Sequence, residues 1–312
     1  MAPAALRAIF TDVVLERLRR APETEPLSFR LHVLTGESLG DGPEHEHRAR
    51  FCEAQRGAWA AYVEAAVACG LFDEPHRSEL VSRLSGVHDE NFRSAMAECE
   101  AAWYLGSKLG LAVSARPPGG GNSELELLVT LPDGDVHVEV KAPFRDAIAD
   151  GIVRHVDDSD ILDRCLADAS RQFKKSTRNL IMLVGRITLG TRARRFFIDA
   201  FYATRKWLIT KHLVTHTTGP LRTEFEPTGR FLKVWPGNKG PRHTRVSGVL
   251  YVEERIRDYR RPDGTLGLRA EHDVLMFHNP NALHPLPEGP WGDCPQLVTR
   301  GEAMEWTDGA DV

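Results

Sequence analysis

The stretch SELELLVTLPDGDVHVEVKAPFR, from Ser123 to Arg145, decides the fold of this chain. Two runs within it, residues 124–129 and 136–141, place an aliphatic residue at every second position. That period of two predicts a pair of half-buried strands. Between the runs lies Asp133-Gly134, a strong signal for a tight hairpin turn. The stretch therefore predicts a β-hairpin whose turn fixes which side chains meet.

The predicted register brings three charged side chains to one face. If Asp133-Gly134 forms a two-residue turn, Pro132 pairs with Asp135, and Glu126 lies opposite Lys141. Glu126 is then a diagonal neighbour of Glu139, roughly 7–8 Å away at the backbone. The opposite face of the hairpin is aliphatic. A slip of one residue would invert the two faces, so this arrangement depends on the turn.

Two carboxylates and a lysine in this spacing suit phosphodiester hydrolysis, which needs a bound cation, an activated water and neutralisation of developing charge. Mg²⁺ prefers carboxylate oxygens and usually keeps several waters. We predict Glu126, Glu139 and the carbonyl of Val140 as ligands of Mg²⁺, for which Mn²⁺ would substitute. Lys141 would orient or help to deprotonate the attacking water, or offset phosphate charge. An isolated Glu-x-Lys also occurs by chance on solvated strand faces.

Charge is distributed unevenly along the chain. The segment from Arg164 to Arg245 holds 18 Lys and Arg against 4 Asp and Glu, although the whole chain has a net charge of −4. An excess of this size exceeds what a solvated helix face requires, and it favours nucleic acid, in the first place DNA, as the partner. The residues predicted to contact it are Arg171, Lys174, Lys175, Arg178, Arg192, Arg194 and Arg195.

Length and composition indicate a globular protein with a sizeable core. The chain has 312 residues and no apolar run near the roughly 20 residues that a membrane span needs. Its five cysteines are scattered without a CxxC pair, which is typical of reduced thiols in the cytoplasm. We expect a cytoplasmic protein without a membrane partner.

The elements around the hairpin predict an α/β fold with a mixed central sheet flanked by helices. Residues 1–88 are predicted to form a helical N-terminal extension, and 89–312 the main domain with a C-terminal elaboration. The predicted helices are Ala4–Arg20, Arg48–Cys69, Asp89–Leu109, Ile161–Lys174 and Ala193–Leu213. The predicted strands outside the hairpin are Leu111–Ala115, Asn179–Val184, Val246–Glu253 and Asp273–His278. We interpret residues 278–287, HNPNALHPLP, as a structural turn and the tail from Pro285 as mostly loop.

From Phe92 to Val184 the chain resembles the PD-(D/E)xK nuclease superfamily. ECEAAWYLGSKLG is similar to the first helix of that superfamily, ELELLV to its acidic strand and VEVKAP to its Glu-x-Lys strand, while DRCLADASRQF and NLIMLV resemble the next helix and core strand. The resemblance implies a restriction-endonuclease-like core and a Mg²⁺-dependent endonuclease, in defence against foreign DNA or in repair.

The same resemblance assigns roles to further residues. It implies Glu98 as the acidic residue of the first helix, with Glu100 as the alternative, and Gln172 as an auxiliary catalytic residue. Glu126 stands where the superfamily usually has an aspartate, which is a departure from the pattern. Cutting both strands of a duplex usually needs two active sites, so a homodimer is one expected assembly.

Two other functions remain open at this point. A protein of the same fold without catalytic activity would bind nucleic acid or a protein partner. An enzyme of another class would use the acidic metal site on a small phosphorylated molecule, which the overall negative charge permits.

Overall fold

The fold was analysed in a computed structural model of the chain. It describes residues 3–37, 43–116, 124–143, 158–185, 193–202, 204–208, 222–226, 228–234, 237, 240–300 and 303–309.

Helices form the first part of the chain. They are α1 Ala4–Ile9, α2 Asp12–Arg20, α3 Glu25–Thr35, α4 Pro43–Ala68 and α5 Arg77–Ser85. The single helix expected from Ala4 to Arg20 is wrong, because Thr11 interrupts it: its side chain accepts a hydrogen bond from the backbone N–H of Val14 and caps α2. Among the described residues, none of the helices is both long and apolar enough to cross a membrane.

Within the described residues, eight strands form one mixed sheet in the order β1-β2-β3-β4-β7-β8-β9-β10. Pairing is antiparallel from β1 to β3, parallel from β3 through β4 to β7, antiparallel for β7–β8, parallel for β8–β9 and antiparallel for β9–β10. The strands of this sheet are β1 Ala112–Ala115, β2 Leu127–Leu131, β3 Gly134–Lys141, β4 Arg178–Val184, β7 Gly248–Arg260, β8 Leu266–His278, β9 Gln296–Arg300 and β10 Ala303–Trp306. A separate pair consists of β5 Thr204–Leu208 and β6 Arg222–Glu226.

Helices cover both faces of the sheet, which confirms the predicted α/β class. On one face, α6 (Asp89–Trp103) and the preceding helices share a core with the aliphatic side of the hairpin. On the other face, α7 (Asp158–Gln172) and α8 (Ala193–Phe201) pack against the opposite side chains of β4 and β7. The run NLIMLV in β4 is buried throughout, as expected for a strand covered on both faces.

The first core extends across the predicted boundary between residues 88 and 89. Trp59 of α4 packs edge-on against Phe92 of α6, with 5.1 Å between the ring centroids. The division of the chain into an extension and a main domain stays a prediction.

The hairpin forms, but its predicted register is wrong. Leu131 pairs with Gly134 and Leu128 with His137, so Pro132 and Asp133 are the turn residues. Proline presets the φ angle of the first central position of a turn, and this places the turn one residue before Asp133-Gly134. Each residue of β2 therefore meets a partner two positions earlier than predicted. A shift of two keeps every side chain on its face, and Glu126 moves from opposite Lys141 to opposite Glu139.

Two expectations for the second half of the chain also need correction. The helix predicted from Ala193 to Leu213 ends at Phe201, and β5 follows at Thr204. The expectation of a loop-rich tail from Pro285 missed two strands, β9 and β10, which extend the sheet there and bury Leu297 and Trp306.

Candidate functional site

Three side chains meet where β2 and β3 separate. The carboxyl groups of Glu126 and Glu139 are in hydrogen-bonding contact, and Lys141 Nζ lies 2.5 Å from Glu139 Oε1. The Glu139 side chain is completely buried. The structure thus brings together the three residues that the hairpin was predicted to place on one face.

A bend at Glu126 allows its carboxylate to reach β3. The ladder with β3 begins at Leu127, and Leu125 packs in the core on the opposite face from Leu127. With the main chain turned away, Glu126 Oε2 accepts the backbone N–H of Val140 at 3.1 Å. A strand residue directs its N–H and C=O to the same neighbouring strand, so the Val140 carbonyl faces the same opening.

The three charges do not balance. Burial raises the pKa of Glu126 well above its usual range, the nearby Glu139 raises it further, and Lys141 opposes this. Burial alone would lower the pKa of Lys141, but Glu139 and Glu126 outweigh it and raise that pKa. The lysine is therefore a cation at neutral pH, and it neutralises one of two touching carboxylates.

The unbalanced charge has a structural counterpart. Glu139 Oε2 is buried and has no donor to accept from within the described residues when both glutamates are ionised. Either a proton on Glu126 or a bound cation would satisfy this oxygen. A proton and a bound cation would therefore compete for this oxygen.

Glu98 lies beside this pair but is held by two arginines. Its Oε1 is 2.5 Å from Arg83 Nη2, and its Oε2 is 3.2 Å from Arg116 Nη2. Burial raises the pKa of Glu98, Arg83 lowers it and Glu126 raises it again. Arg116 also donates its backbone N–H to the Glu126 carbonyl and has a left-handed φ of 55°. Glu98 therefore positions the chain at Glu126 through Arg116, and each of its two oxygens already accepts a hydrogen bond from an arginine.

Glu98, Glu126, Val140 and Lys141 line an open cleft of about 520 Å³, whereas Glu139 is fully buried and is not among the described residues that line it. One wall consists of α6 and the N-terminal helices, with Trp59 and Arg83, and the floor is the carboxyl end of β3 and β4, up to Lys141 and Gly185. Ligand sites commonly occur at the carboxyl ends of strands in α/β sheets, and this volume is in the usual range for such sites.

The donors in the cleft fit a hard divalent cation that keeps waters. Two carboxylates and a carbonyl are oxygen ligands, as Mg²⁺ and Mn²⁺ prefer. In the part of the chain that the structure describes, no group of three His, Cys, Asp or Glu side chains converges as a ready metal cage. The glutamate pair would therefore leave several positions of such an ion to water or substrate.

The other residues predicted for the site lie elsewhere. Gln172 is at the last position of α7 and is not among the described residues that line the cleft. Lys174 follows it and acts electrostatically on His137, nearer the beginning of β3. The predicted auxiliary role of Gln172 in the cleft finds no support in this position.

The residues predicted to bind nucleic acid are in different environments. Arg171 and Lys175 are exposed near the end of α7. Arg178 pairs with Asp133 at the hairpin turn, 3.0 Å away. Arg194 is paired with Asp308 and stacks on Trp306, whereas Arg195 is exposed. Arg192 lies outside the described residues.

A second buried polar cluster was not predicted. Glu254 of β7 accepts hydrogen bonds from Tyr62 and Gln55 of α4. His272 Nε2 of β8 lies 3.2 Å from Glu100 Oε1 and 3.0 Å from the Tyr62 hydroxyl. Burial raises the pKa of Glu100 to about 8 and, together with Glu100, that of Glu254 to about 7. Glu100 also borders the cleft.

Sequence patterns contain little signal for this cluster or for the arginines at Glu98. Tyr62 and Glu254 are 192 positions apart, and such partners are visible only once the helices and strands are packed. Glu254, in the run VEERIRD of β7, is a weak sequence signal for the buried cluster, because acidic residues are depleted in strands.

Comparison of the chain with protein-family models, with curated proteins and with solved structures gave no match.

Proposed function

We propose that this protein is a Mg²⁺-dependent nuclease that hydrolyses phosphodiester bonds of DNA. The observation that carries the proposal is the contact between Glu126 and the buried Glu139, with Lys141 2.5 Å from Glu139, beside an open cleft that Glu126 and Lys141 line. The resemblance of this region to the PD-(D/E)xK superfamily supports the same reaction. Defence against foreign DNA or DNA repair would be its biological setting.

Each residue has a role that follows from its surroundings. Glu126, Glu139 and the Val140 carbonyl would hold the cation, which supplies charge neutralisation and acidifies a bound water. Lys141 is cationic at neutral pH, because its pKa is raised. It therefore acts by orienting the attacking water or by offsetting phosphate charge, and it is a poor general base.

The basic segment makes a polyanion the preferred substrate. The 18 Lys and Arg against 4 Asp and Glu between Arg164 and Arg245 follow the site residues directly in the chain. Arg171, Lys175 and Arg195 are exposed, so their charges are available to phosphates.

Cleavage of plasmid and oligonucleotide DNA tests the proposal. The wild-type protein is expected to cut in Mg²⁺ or Mn²⁺ and to stop when a chelator is added. Glu139→Gln and Lys141→Met should each lower the rate at least 100-fold, while Glu53→Gln, an exposed glutamate of α4, should leave it unchanged. Circular dichroism and melting temperature verify folding of each variant. Cutting that persists in both site variants would refute the assignment.

A second candidate is a nuclease-like protein that binds nucleic acid without hydrolysis. Its support is the commitment of both Glu98 oxygens to Arg83 and Arg116, together with glutamate at position 126 in place of the usual aspartate. Salt-sensitive DNA binding without cleavage of single-stranded or double-stranded substrates in either metal ion would favour it.

A further inference from the structure

A basic cleft of about 540 Å³ lies at the other end of the strands from the glutamate pair. Its described lining residues carry basic side chains from two segments and no acidic ones; the polar members are Ser170, Arg171, Lys175, Arg242, His243 and Arg245, with Thr244 between the last two. Ser170 and Arg171 belong to α7, and Lys175 follows that helix. The other lining residues belong to the loop that leads into β7. On this wall Arg171 pairs with Asp168, 3.4 Å apart on the exposed side of α7.

Two buried asparagines fix the main chain of the walls. Asn179 donates its side-chain amide to the carbonyls of Lys174 and Arg245, at 2.9 and 2.8 Å. Asn279 donates to the carbonyls of His243 and Val246, at 3.1 and 2.7 Å. Both asparagines are almost inaccessible to solvent. The segment HNPNALHPLP is thus confirmed as a structural turn, and its first asparagine holds the basic loop.

The basic loop is therefore preorganised. His243 has a left-handed φ of 51°, a conformation that costs energy for a residue with a side chain and that the Asn279 hydrogen bonds maintain. Ser170 Oγ is buried at the cleft with no hydrogen-bond partner within the described residues. Basic side chains carried on a hydrogen-bonded main chain, around a hydroxyl without a described partner, form the kind of surface that recognises phosphate oxygens.

We infer that this cleft binds backbone phosphates of a nucleic-acid strand at a distance from the glutamate pair. The inference rests on the proposed function only for the identity of the ligand as a nucleic acid. Lys141 lies beside Leu183, and Asn179 precedes Leu183 by four residues in β4, which is roughly 13 Å along the strand. Because one strand of a DNA duplex rises about 3.4 Å along the helix axis per nucleotide, this distance corresponds to about four nucleotides of duplex.

The test measures DNA affinity in a chelator, where cleavage cannot occur. The cleft variant is Arg171→Gln/Lys175→Gln/Arg245→Gln, and the control Arg48→Gln/Arg50→Gln/Arg77→Gln removes the same charge from exposed helix positions. For a 20-nucleotide fluorescent probe, the cleft variant should bind at least 10-fold more weakly at low salt. The slope of log affinity against log salt should fall by roughly two to three units for three lost phosphate contacts. Equal losses in the cleft and control variants, or unchanged binding in both, would overturn the inference.

Two further measurements identify the ligand and separate this inference from the proposed reaction. The cleft variant should lose more DNA cleavage than hydrolysis of bis-p-nitrophenyl phosphate, a substrate too short to reach the cleft. If the wild type cuts nothing but the cleft variant still loses DNA affinity, the inference stands and the nuclease proposal fails. Inorganic pyrophosphate could raise the melting temperature of the wild type and not of the cleft variant, while the two proteins bind DNA equally well. In that case the ligand is a small phosphorylated molecule and the inference is wrong.

Discussion

Glu126 and Glu139 face each other where the β2–β3 ladder ends, with their carboxyl groups in hydrogen-bonding contact and the Val140 N–H donated to Glu126. Lys141 provides one positive charge for the two. Burial, followed by the adjacent Glu139, raises the pKa of Glu126, and Lys141 opposes this only in part, so the pair favours retaining a proton. Ion binding, stability and activity of this protein should therefore all depend on that proton.

Divalent-ion affinity should increase with pH. The raised pKa of Glu126 means that an entering ion must displace the shared proton, so apparent affinity should rise up to about tenfold per pH unit below that pKa. Titration of Mg²⁺ or Mn²⁺ followed by melting temperature, between pH 6 and 8.5, measures this. Calorimetry in buffers of different ionisation enthalpy should register close to one proton released.

Glu126→Gln serves as the variant for this titration, because its amide cannot be deprotonated. It should show no pH-dependent increase in the ion-induced shift of melting temperature, whereas Glu53→Gln should behave as the wild type. Ion affinity that is the same at pH 6 and 8.5 in the wild type would contradict a shared proton.

Glu126→Gln should also stabilise the ion-free protein while it abolishes cleavage. A glutamine amide can donate to the buried Glu139 Oε2, and its oxygen can still accept the Val140 N–H. A satisfied buried acceptor contributes about 1 kcal/mol, so urea unfolding should shift to higher concentration. Because a raised carboxyl pKa means that the folded state retains a proton, wild-type stability is lost as pH rises above about 4.5.

The increase in the free energy of unfolding from Glu126→Gln should accordingly be larger at pH 8 than at pH 5. Urea midpoints of the wild type and Glu126→Gln at both pH values give the comparison. A variant that is less stable than the wild type at pH 8 would show that the two carboxylates are not in conflict.

The site was largely predictable from the sequence because its residues are local. Alternation places Glu126, Glu139 and Lys141 on one face in any register that differs by an even number of residues. The turn position was not predictable from Asp133-Gly134 alone, since Pro132 in front of it competes for the first central position. The bend at Glu126, which frees the Val140 N–H and C=O, has no signal in the alternation pattern.

Contacts between distant segments account for most of what was missed. Arg83 and Arg116 reach Glu98 from two different segments, and both are ordinary arginines in the sequence. Strands β9 and β10 lie in a region rich in Pro and Gly. An apolar residue there, such as Leu297, is recognisable as a strand residue only from its pairing with Phe277 of β8. The α/β class followed from the element order, but these additions depend on packing.

Glu98→Ala should destabilise the protein and leave ion affinity nearly unchanged. The substitution leaves Arg83 and Arg116 without their buried anion, and breaking a buried pair in this way costs about 3 kcal/mol. Glu79 is a matched control, because it pairs with the same Arg83 at 3.6 Å from an exposed position. Glu79→Ala should change the free energy of unfolding by well under 1 kcal/mol.

Urea unfolding of the two variants tests the stability difference, and Mn²⁺ titration tests the ion affinity. Loss of Mn²⁺ binding in folded Glu98→Ala, to the same degree as in Glu139→Gln, would instead make Glu98 an ion ligand. Glu98 contacts Arg116, whose backbone N–H is donated to the Glu126 carbonyl. Through these two contacts, Glu98→Ala should lower activity while ion affinity is retained.

Glu100 should make the protein less stable as pH rises towards 8. Burial raises its folded-state pKa to about 8 from an ordinary value of 4.5, so the folded protein holds a proton that the unfolded chain releases. The free energy of unfolding should fall by up to about 1.4 kcal/mol per pH unit across that interval and become flat above it. Glu100→Gln should remove this part of the pH dependence.

The neighbours of Glu100 define the pH range in which it can be isolated. Glu254 has a pKa of about 7, and burial lowers the pKa of His272, so both have largely finished titrating above pH 7.5. Melting temperatures between pH 7.5 and 9 should therefore decline more steeply in the wild type and in Glu53→Gln than in Glu100→Gln, with the difference growing up to about pH 8. Parallel curves for all three proteins would mean that Glu100 is already ionised, and that His272, 3.2 Å away, carries the compensating proton.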